Sequence, residues 1–368
     1  MDHVALKYLL ALKNIPTIGD VTARKLLLYF QSAQTIFEAS PKELQKANCL
    51  QKNQLTAFQG AALQLDSLEK ELAYVEKHNV QVLSVLDAKY PQRLLECNDA
   101  PPMLFFQGNC DLNALKTVAI IGTRNHTTYG LETTQKIVEG LTGSGVLIIS
   151  GLADGIDGIA HKQALNCGIP TLGVLAHGLD IMYPTKHKSL AKNMLDNGGL
   201  LTEYKTQTIP DRQNFPMRNR IVAGMSDLIV VIESSETGGA MITAKLGNGY
   251  NREVAAVPGR ITDAASAGCN YLLRKNMAHT ITSAEDILEL MNWSTGVSKS
   301  KPPQMELFLE LTTEEELLIT LLKNKGALHF DNLLLETQWT FSLLSNILLG
   351  LELKGVVRSI PGKKYDLY

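Results

Sequence analysis

Residues 118–130 read VAIIGTRNHTTYG. Val118–Ile121 is an unbroken apolar run rich in β-branched side chains, the pattern of a strand buried on both faces. Gly122 closes the run and a helical stretch, LETTQKIVEGLTGS, follows. The unit then repeats. VLIISG (146–151) leads into DGIAHKQALNCG, and PTLGVLA (170–176) precedes KSLAKNMLDNG. GGLLTEY (198–204) is a short strand, DLIVVIES (227–234) leads into GGAMITAKLGNGY, and EVAAVPG (253–259) is a further strand. Apolar strands alternating with helices predict an α/β fold, a Rossmann-like, doubly wound and mostly parallel sheet. In that fold ligands bind at the carboxyl ends of the strands, near the switch in strand order.

The 368 residues favour more than one domain. Residues 1–80 read as helices. In NIPTIGDVTARKLLLYF (14–30) Gly19 marks a turn, Asp20 is placed to cap the next helix, and Val21, Leu27, Leu28 and Phe30 supply apolar positions. The pattern fits a helix-hairpin-helix (SAM-like) module or a plain helical bundle. Residues 81–293 hold the Rossmann-like domain, opening with a bridge (81–117) in which Asp99, Pro101 and Pro102 break any helix and MLFFQG forms a strand. STGVSKSKPPQ (294–304) reads as a linker. Residues 305–368 predict three helices and a hairpin, a winged-helix pattern, with a capping box from Thr313 to Glu316 and Pro361-Gly362 at the hairpin turn.

Hydrophobic content of 45% and charged content of 20% are those of an ordinary globular chain, and no apolar run is long enough for a membrane span. MDHVALKYLLALKNIP lacks a basic leader with a small-residue cleavage site, so a cytoplasmic protein with no membrane partner is expected. Five scattered cysteines without a C-x-x-C pair imply free thiols and no zinc site. A net charge of −2 argues against nucleic acid unless positive charge is concentrated locally.

Each strand ends in a polar or glycine-rich turn: Gly122-Thr123-Arg124, Ser150-Gly151 running to Asp157, His177 to Asp180, and Ser234 to Ala240 with Gly238-Gly239. Glycines let backbone N–H groups approach an anion, and helix N-termini favour negative charge, so an anionic ligand, a phosphate, is expected. Neither G-x-G-x-x-G nor a Walker A motif occurs, and no cofactor is expected. Arg124 stands where a dinucleotide site would have glycine. Its guanidinium can fork onto a phosphate, stack on a base, or pair with Asp154 or Asp157. DRQNFPMRNRIVAGMS supplies Arg212, Arg218 and Arg220 around Phe215 and Pro216. That composition fits either a single-stranded nucleic-acid track or a solvated helix start. Asp157 and His161 have helical i, i+4 spacing, but no third metal ligand accompanies them and no nucleophile has a base, so neither a metal nor a catalytic residue is expected.

As a set, YPQRLLECNDAPPMLFFQGN, VAIIGTRNHTTYG, SGLADGIDGIAHKQAL, FPMRNRIVAGMS, VVIESSETGGAMITA and GCNYLLRKNMA resemble the DNA-processing protein A (DprA/Smf) family of bacterial single-stranded DNA-binding proteins, in order across 90–290. The resemblance implies a non-enzymatic recombination mediator that binds incoming single-stranded DNA in natural transformation and loads the RecA recombinase onto it. It also implies a homodimer, with the single-strand-binding protein as a further partner. Matched to the family's motifs, Gly122, Thr123 and Arg124 line the DNA pocket, with Ser150, Gly151, Phe215, Arg218, Arg220, Gly238 and Gly239 around it. Departures are His187 for a usual Asn, Ser234 for a usual Ala, and Asn276-Met277 near the region that carries dimerisation in the family. The tail stretch DNLLLETQWTFSLLSNILLG has no Lys or Arg, which favours a docking or structural role over duplex reading. The alternatives are an enzyme acting on a nucleotide phosphate, using Asp154, Asp157 or His161 as acid–base groups, and a nucleotide sensor.

Overall fold

The computed structural model describes residues 3–15, 17–47, 49–50, 54–55, 58, 68–293, 311–360 and 363–367. The chain divides into two compact units, 1–295 and 296–368. The expected linker and the Pro361-Gly362 turn lie outside the described residues.

The first unit is built on a nine-stranded sheet. Its strands are β1 (Gln81–Ser84), β2 (Met103–Gly108), β3 (Lys116–Ile121), β4 (Val146–Ser150), β5 (Thr171–Val174), β6 (Gly198–Thr202), β7 (Leu228–Val231), β8 (Glu253–Ala256) and β9 (His279–Thr280). The order is β1-β2-β6-β5-β4-β3-β7-β8-β9. Strands β6 to β9 across that order pair in parallel, and β1 and β2 add an antiparallel edge. The chain winds outward from β3 through β4, β5 and β6, then returns to the other side of β3 for β7. The switch in strand order therefore lies at β3, the VAII strand.

Alternation along each strand divides the core into two layers. Ala119, Ile121, Leu147, Ile149, Ile229 and Val231 face one layer, while Val118, Ile120, Val146, Ile148, Leu228 and Val230 face the other. The helices Thr128–Gly140, Ile156–Asn166 and Ala284–Leu290 contribute Ile137, Ala160 and Ile287 to the second layer. The helices Asn214–Met225, Gly239–Gly249 and Ala267–Arg274 contribute Val222, Met241 and Leu272 to the first. Helices on both faces are what strands apolar at every position require.

The N-terminal helices do not form a core of their own divided at residue 80. Leu9, Leu12 and Leu26 belong to the same apolar cluster as Leu104 and Phe106 of β2. In the helix Asp20–Phe30 the buried stripe is Ala23, Leu26 and Leu27, whereas Val21 and Leu28 point outward. The cap expected at Asp20 falls on Gly19, which makes no side-chain cap bond. Asp20 is instead the first residue of the helix, and its Oδ2 accepts from Arg220 Nη2 at 2.8 Å. The same nitrogen donates to Glu203 Oε2 at 2.5 Å, and Arg220 Nη1 donates to the Asp99 carbonyl. Lys13 Nζ stands 3.8 Å from Glu203 Oε2. Burial pushes the Glu203 carboxyl up, against the pull of Lys13 and Arg220.

The second unit has helices Thr313–Lys325, Phe330–Thr337 and Phe341–Leu353 and a three-stranded antiparallel sheet of β10 (Leu328–His329), β12 (Lys364–Leu367) and β11 (Val357–Ile360), in that order. This is a winged helix around Leu318, Leu322, Leu333, Leu344 and Leu348. The capping box lies one residue earlier than expected. Thr312 Oγ1 accepts from the Glu315 N–H and Glu315 accepts from the Thr312 N–H. Glu315 is also held by Lys354 Nζ at 2.6 Å, an added partner that Glu316 lacks.

Arg220 and Glu203 are each almost wholly buried. Removing one member of such a pair strands the other, so Arg220→Ala should lower unfolding stability by about 3–5 kcal/mol. Urea denaturation checks this; a loss below about 1 kcal/mol would mean the network relaxes without cost.

Candidate nucleic-acid interface

The carboxyl ends of β4, β3 and β7 and the starts of three helices line a cavity of about 340 Å³. Gly122, Thr123 and Arg124 line it from the turn after β3, Gly151 from the turn after β4, and Asp157 from the start of the helix Ile156–Asn166. Ser234, Ser235, Gly238 and Gly239 line it from the turn after β7. The first turns of the helix Asn214–Met225 bring Phe215, Arg218 and Asn219 to the same wall. The cavity thus occupies the crevice at the strand-order switch, where the fold leaves room between diverging connections.

Backbone close approach shapes the rim. Gly155 has φ +76°, and a side chain there would overlap the Thr123 carbonyl; its turn seats the Arg124 loop, with the Ile156 N–H donating to Thr123 O at 3.2 Å. The loop is anchored from the other side by Glu233. Its main-chain oxygen accepts from the Thr123 N–H at 2.7 Å, and its carboxylate accepts from the Thr127 N–H at 2.9 Å and hydroxyl at 2.5 Å. The helix Gly239–Gly249 begins in the wall with no side-chain cap, leaving first-turn N–H groups for a ligand oxygen.

Arg124 is exposed, and its side chain has neither hydrogen bond nor ion pair among the described residues. Its Cζ lies 4.9 Å from the centroid of the Phe215 ring. The carboxylates that were candidate partners are engaged elsewhere. Asp154 Oδ1 is 2.9 Å from Lys186 Nζ, and Asp157 accepts from the Gly151 N–H at 3.1 Å and feels the positive charge of Arg218. Arg218 is the buried floor. Its Nη1 donates to the Gly151 and Val174 carbonyls, and a Cβ on Gly151 would overlap its guanidinium. Burial pulls the Arg218 pKa down and pushes the Asp157 carboxyl up.

Three expected residues lie elsewhere. Arg220 is two positions beyond Arg218, about 200° around the helix, and so points to the N-terminal helices. Ser150 is fully buried, with its hydroxyl donating to Ile120 O at 2.6 Å. Arg212 is exposed and outside the cavity wall. Asn219 and Glu233 were missed. A carboxylate directly after the apolar run LIVVI was the available signal for Glu233. Among the described residues no group of three or more His, Cys, Asp or Glu could hold a metal, and no helix is long and apolar enough to cross a membrane.

A family model described as DNA recombination-mediator protein A matches residues 81–292, and one described as the DprA winged helix domain matches 300–363. The chain belongs to the DNA recombination-mediator protein A family. It is 35% identical to the DNA processing protein DprA of Bacillus subtilis over 284 residues, 75% of this chain and 93% of that one. It is 38% identical to DprA of Streptococcus pneumoniae over 205 residues, 56% of this chain and 72% of that one. The X-ray structure of the Streptococcus pneumoniae protein superposes with a TM-score of 0.68 at 31% identity, covering 77% of this chain and 97% of that one. DNA processing protein A of Helicobacter pylori, a structure that gives insight into its single-stranded DNA binding mode, superposes at 0.53 with 29% identity, covering 58% of this chain and 95% of that one. Family membership makes the chain a DNA-processing recombination mediator by kind.

The Asp157 and His161 pair does not open to the cavity as an acid–base set. His161 is fully buried, with Nδ1 2.7 Å from Thr171 Oγ1. That hydroxyl donates to Ile148 O at 3.1 Å, so it accepts from His161, which fixes the proton on Nδ1. Nε2 is buried without a partner among the described residues, and burial pulls the imidazole down to about 3 from its ordinary 6.5. Between those values the unfolded chain takes up a proton that the native state refuses, so stability falls as pH drops through that window. From His161 alone the slope should approach about 1.4 kcal/mol per pH unit below the unfolded value. Denaturation between pH 7 and pH 5 should show His161→Gln with a flatter slope; equal slopes would mean His161 takes up a proton in the folded state.

Proposed function

We propose that this chain binds single-stranded DNA in the cavity at the β3 switch point and acts there as a mediator that loads the RecA recombinase during natural transformation. The observation that carries the reading is Arg124: a guanidinium at the mouth of a glycine-rich pocket, uncommitted to any carboxylate among the described residues and lying over the ring of Phe215. The turn glycines and the uncapped helix start supply N–H donors for phosphate oxygens, and the Arg124–Phe215 pair supplies a stacking surface that any base can use. The Helicobacter pylori relative, with its single-stranded DNA binding mode, supports extending that ligand to this chain. The homodimer, the RecA and single-strand-binding protein partners and a cytoplasmic location belong to this proposal on the strength of the family resemblance, as does a role in binding rather than turnover.

Affinity for oligo-dT should exceed that for the same-length duplex and fall steeply with salt. Arg124→Ala should lower single-strand affinity by about 1–3 kcal/mol in fluorescence anisotropy; an unchanged affinity in a folded variant would remove Arg124 from the site. Deleting residues 305–368 should leave single-strand binding largely intact, since the helix Phe341–Leu353 presents no Lys or Arg to a groove and carries exposed Phe341, Leu349 and Leu353 instead. A collapse in affinity would assign the winged helix a direct DNA contact.

A further inference from the structure

Tyr183 is a side chain that the pocket described above does not use. It follows β5 at the next connection along the carboxyl edge, and the residue is 46% exposed. Its hydroxyl has no hydrogen-bond partner among the described residues, and its ring has one aromatic partner there. That partner is Phe215, with centroids 6.1 Å apart and planes tilted by 57°. Phe215 in turn lies under the Arg124 guanidinium. Arg124, Phe215 and Tyr183 therefore form a continuous row of π surfaces along the rim, leading away from the main cavity.

A second, narrower cleft lies beyond that row. Arg124, Phe215, Gly151 and Arg218 line both clefts, while Tyr183 and His177 line the second alone. At about 20 Å³ the second cleft cannot enclose a base, so a ligand continuing past Phe215 meets Tyr183 at the rim. The carboxylate at this cleft, Asp154, has the Lys186 ammonium 2.9 Å from its Oδ1, so a phosphate approaching Tyr183 meets a compensated charge.

We propose that Tyr183 is a second base-stacking platform, so that the site seats successive nucleotides of one strand across the Arg124–Phe215 wall rather than a single nucleotide in the main cavity. This rests on the single-strand reading and deepens it: the ligand is an oligonucleotide, held by phosphate contact at the pocket and by sequence-tolerant stacking along the rim.

The test is fluorescence anisotropy with two labelled oligomers of equal length and charge, one of dT and one in which the nucleotides are abasic. Wild type, Arg124→Ala, Tyr183→Ala and Tyr183→Phe are compared. Stacking predicts that Tyr183→Ala weakens dT binding by about 5- to 100-fold, that Tyr183→Phe retains it, and that the abasic strand distinguishes Tyr183→Ala from wild type by less than about twofold. Equal dT affinity for Tyr183→Ala and wild type, while Arg124→Ala binds more weakly, would overturn the Tyr183 platform and leave the single-strand reading standing. An equal loss on both oligomers would also overturn it, by making the effect one of backbone contact or folding. Failure of the wild type to bind either oligomer would overturn the single-strand reading itself.

Discussion

Two arginines two residues apart on the helix Asn214–Met225 hold this structure together. A helix sends such positions to nearly opposite faces. Arg218 therefore lies beneath the cavity, with Nη1 bonded to the Gly151 and Val174 carbonyls at the ends of β4 and β5. Arg220 reaches the other way, to Asp20 in the N-terminal helices, Glu203 after β6 and the carbonyl of Asp99 in the bridge. Each guanidinium is expensive to bury and is stable only with its partners in place. The helix is thereby fixed in rotation and translation by charge, and its first turn, which carries Phe215, is fixed with it. The N-terminal helices are thus tied to the site through a single rigid element, even though they contribute no residue to the cavity wall.

The same economy explains a nucleic-acid site in a chain whose net charge is −2. Much of the local charge is neutralised in pairs: Arg220 with Glu203 and Asp20, Lys186 with Asp154, Arg93 with Asp227. Arg124 is outside these pairs. Its loop is held by main-chain and carboxylate bonds to Glu233 that leave the guanidinium unspent. Net charge is a sum over the surface and says little about one position at which pairing has been withheld.

The fold was legible because its strands are apolar at every position and its turns fall at regular places, so Val118–Ile121, Val146–Ser150 and Leu228–Val231 stand where the sequence puts them. The cavity was legible for the same reason, since strand ends share one edge whatever the side chains do. What could not be read was direction. FPMRNR offers two arginines with equal claim to a phosphate, and only the azimuth of the helix separates the floor of the site from a structural ion pair. Ser150 shares a motif with Gly151, yet strand alternation turns its hydroxyl inward to Ile120. Asp20 and Thr313 had the right chemistry for caps, and in each case a neighbour one residue earlier took the position because a distant partner, Arg220 or Lys354, determined where the acidic side chain pointed.

Tyr183 shows the limit of motif reading most clearly. In sequence it sits 32 positions before Phe215, in a stretch whose lysines and histidine draw attention first. Its relation to Phe215 exists only because β5 and the helix Asn214–Met225 meet at the carboxyl edge, where Arg218 bonds to Val174 at the end of that strand. The buried arginine that forms the floor of the cavity thus also ties together the two elements that carry the rings on its rim. A change at Arg218 would disturb stacking as well as charge, whereas a change at Tyr183 would leave the floor untouched, which makes the rim and the floor separable in measurement although they are coupled in construction.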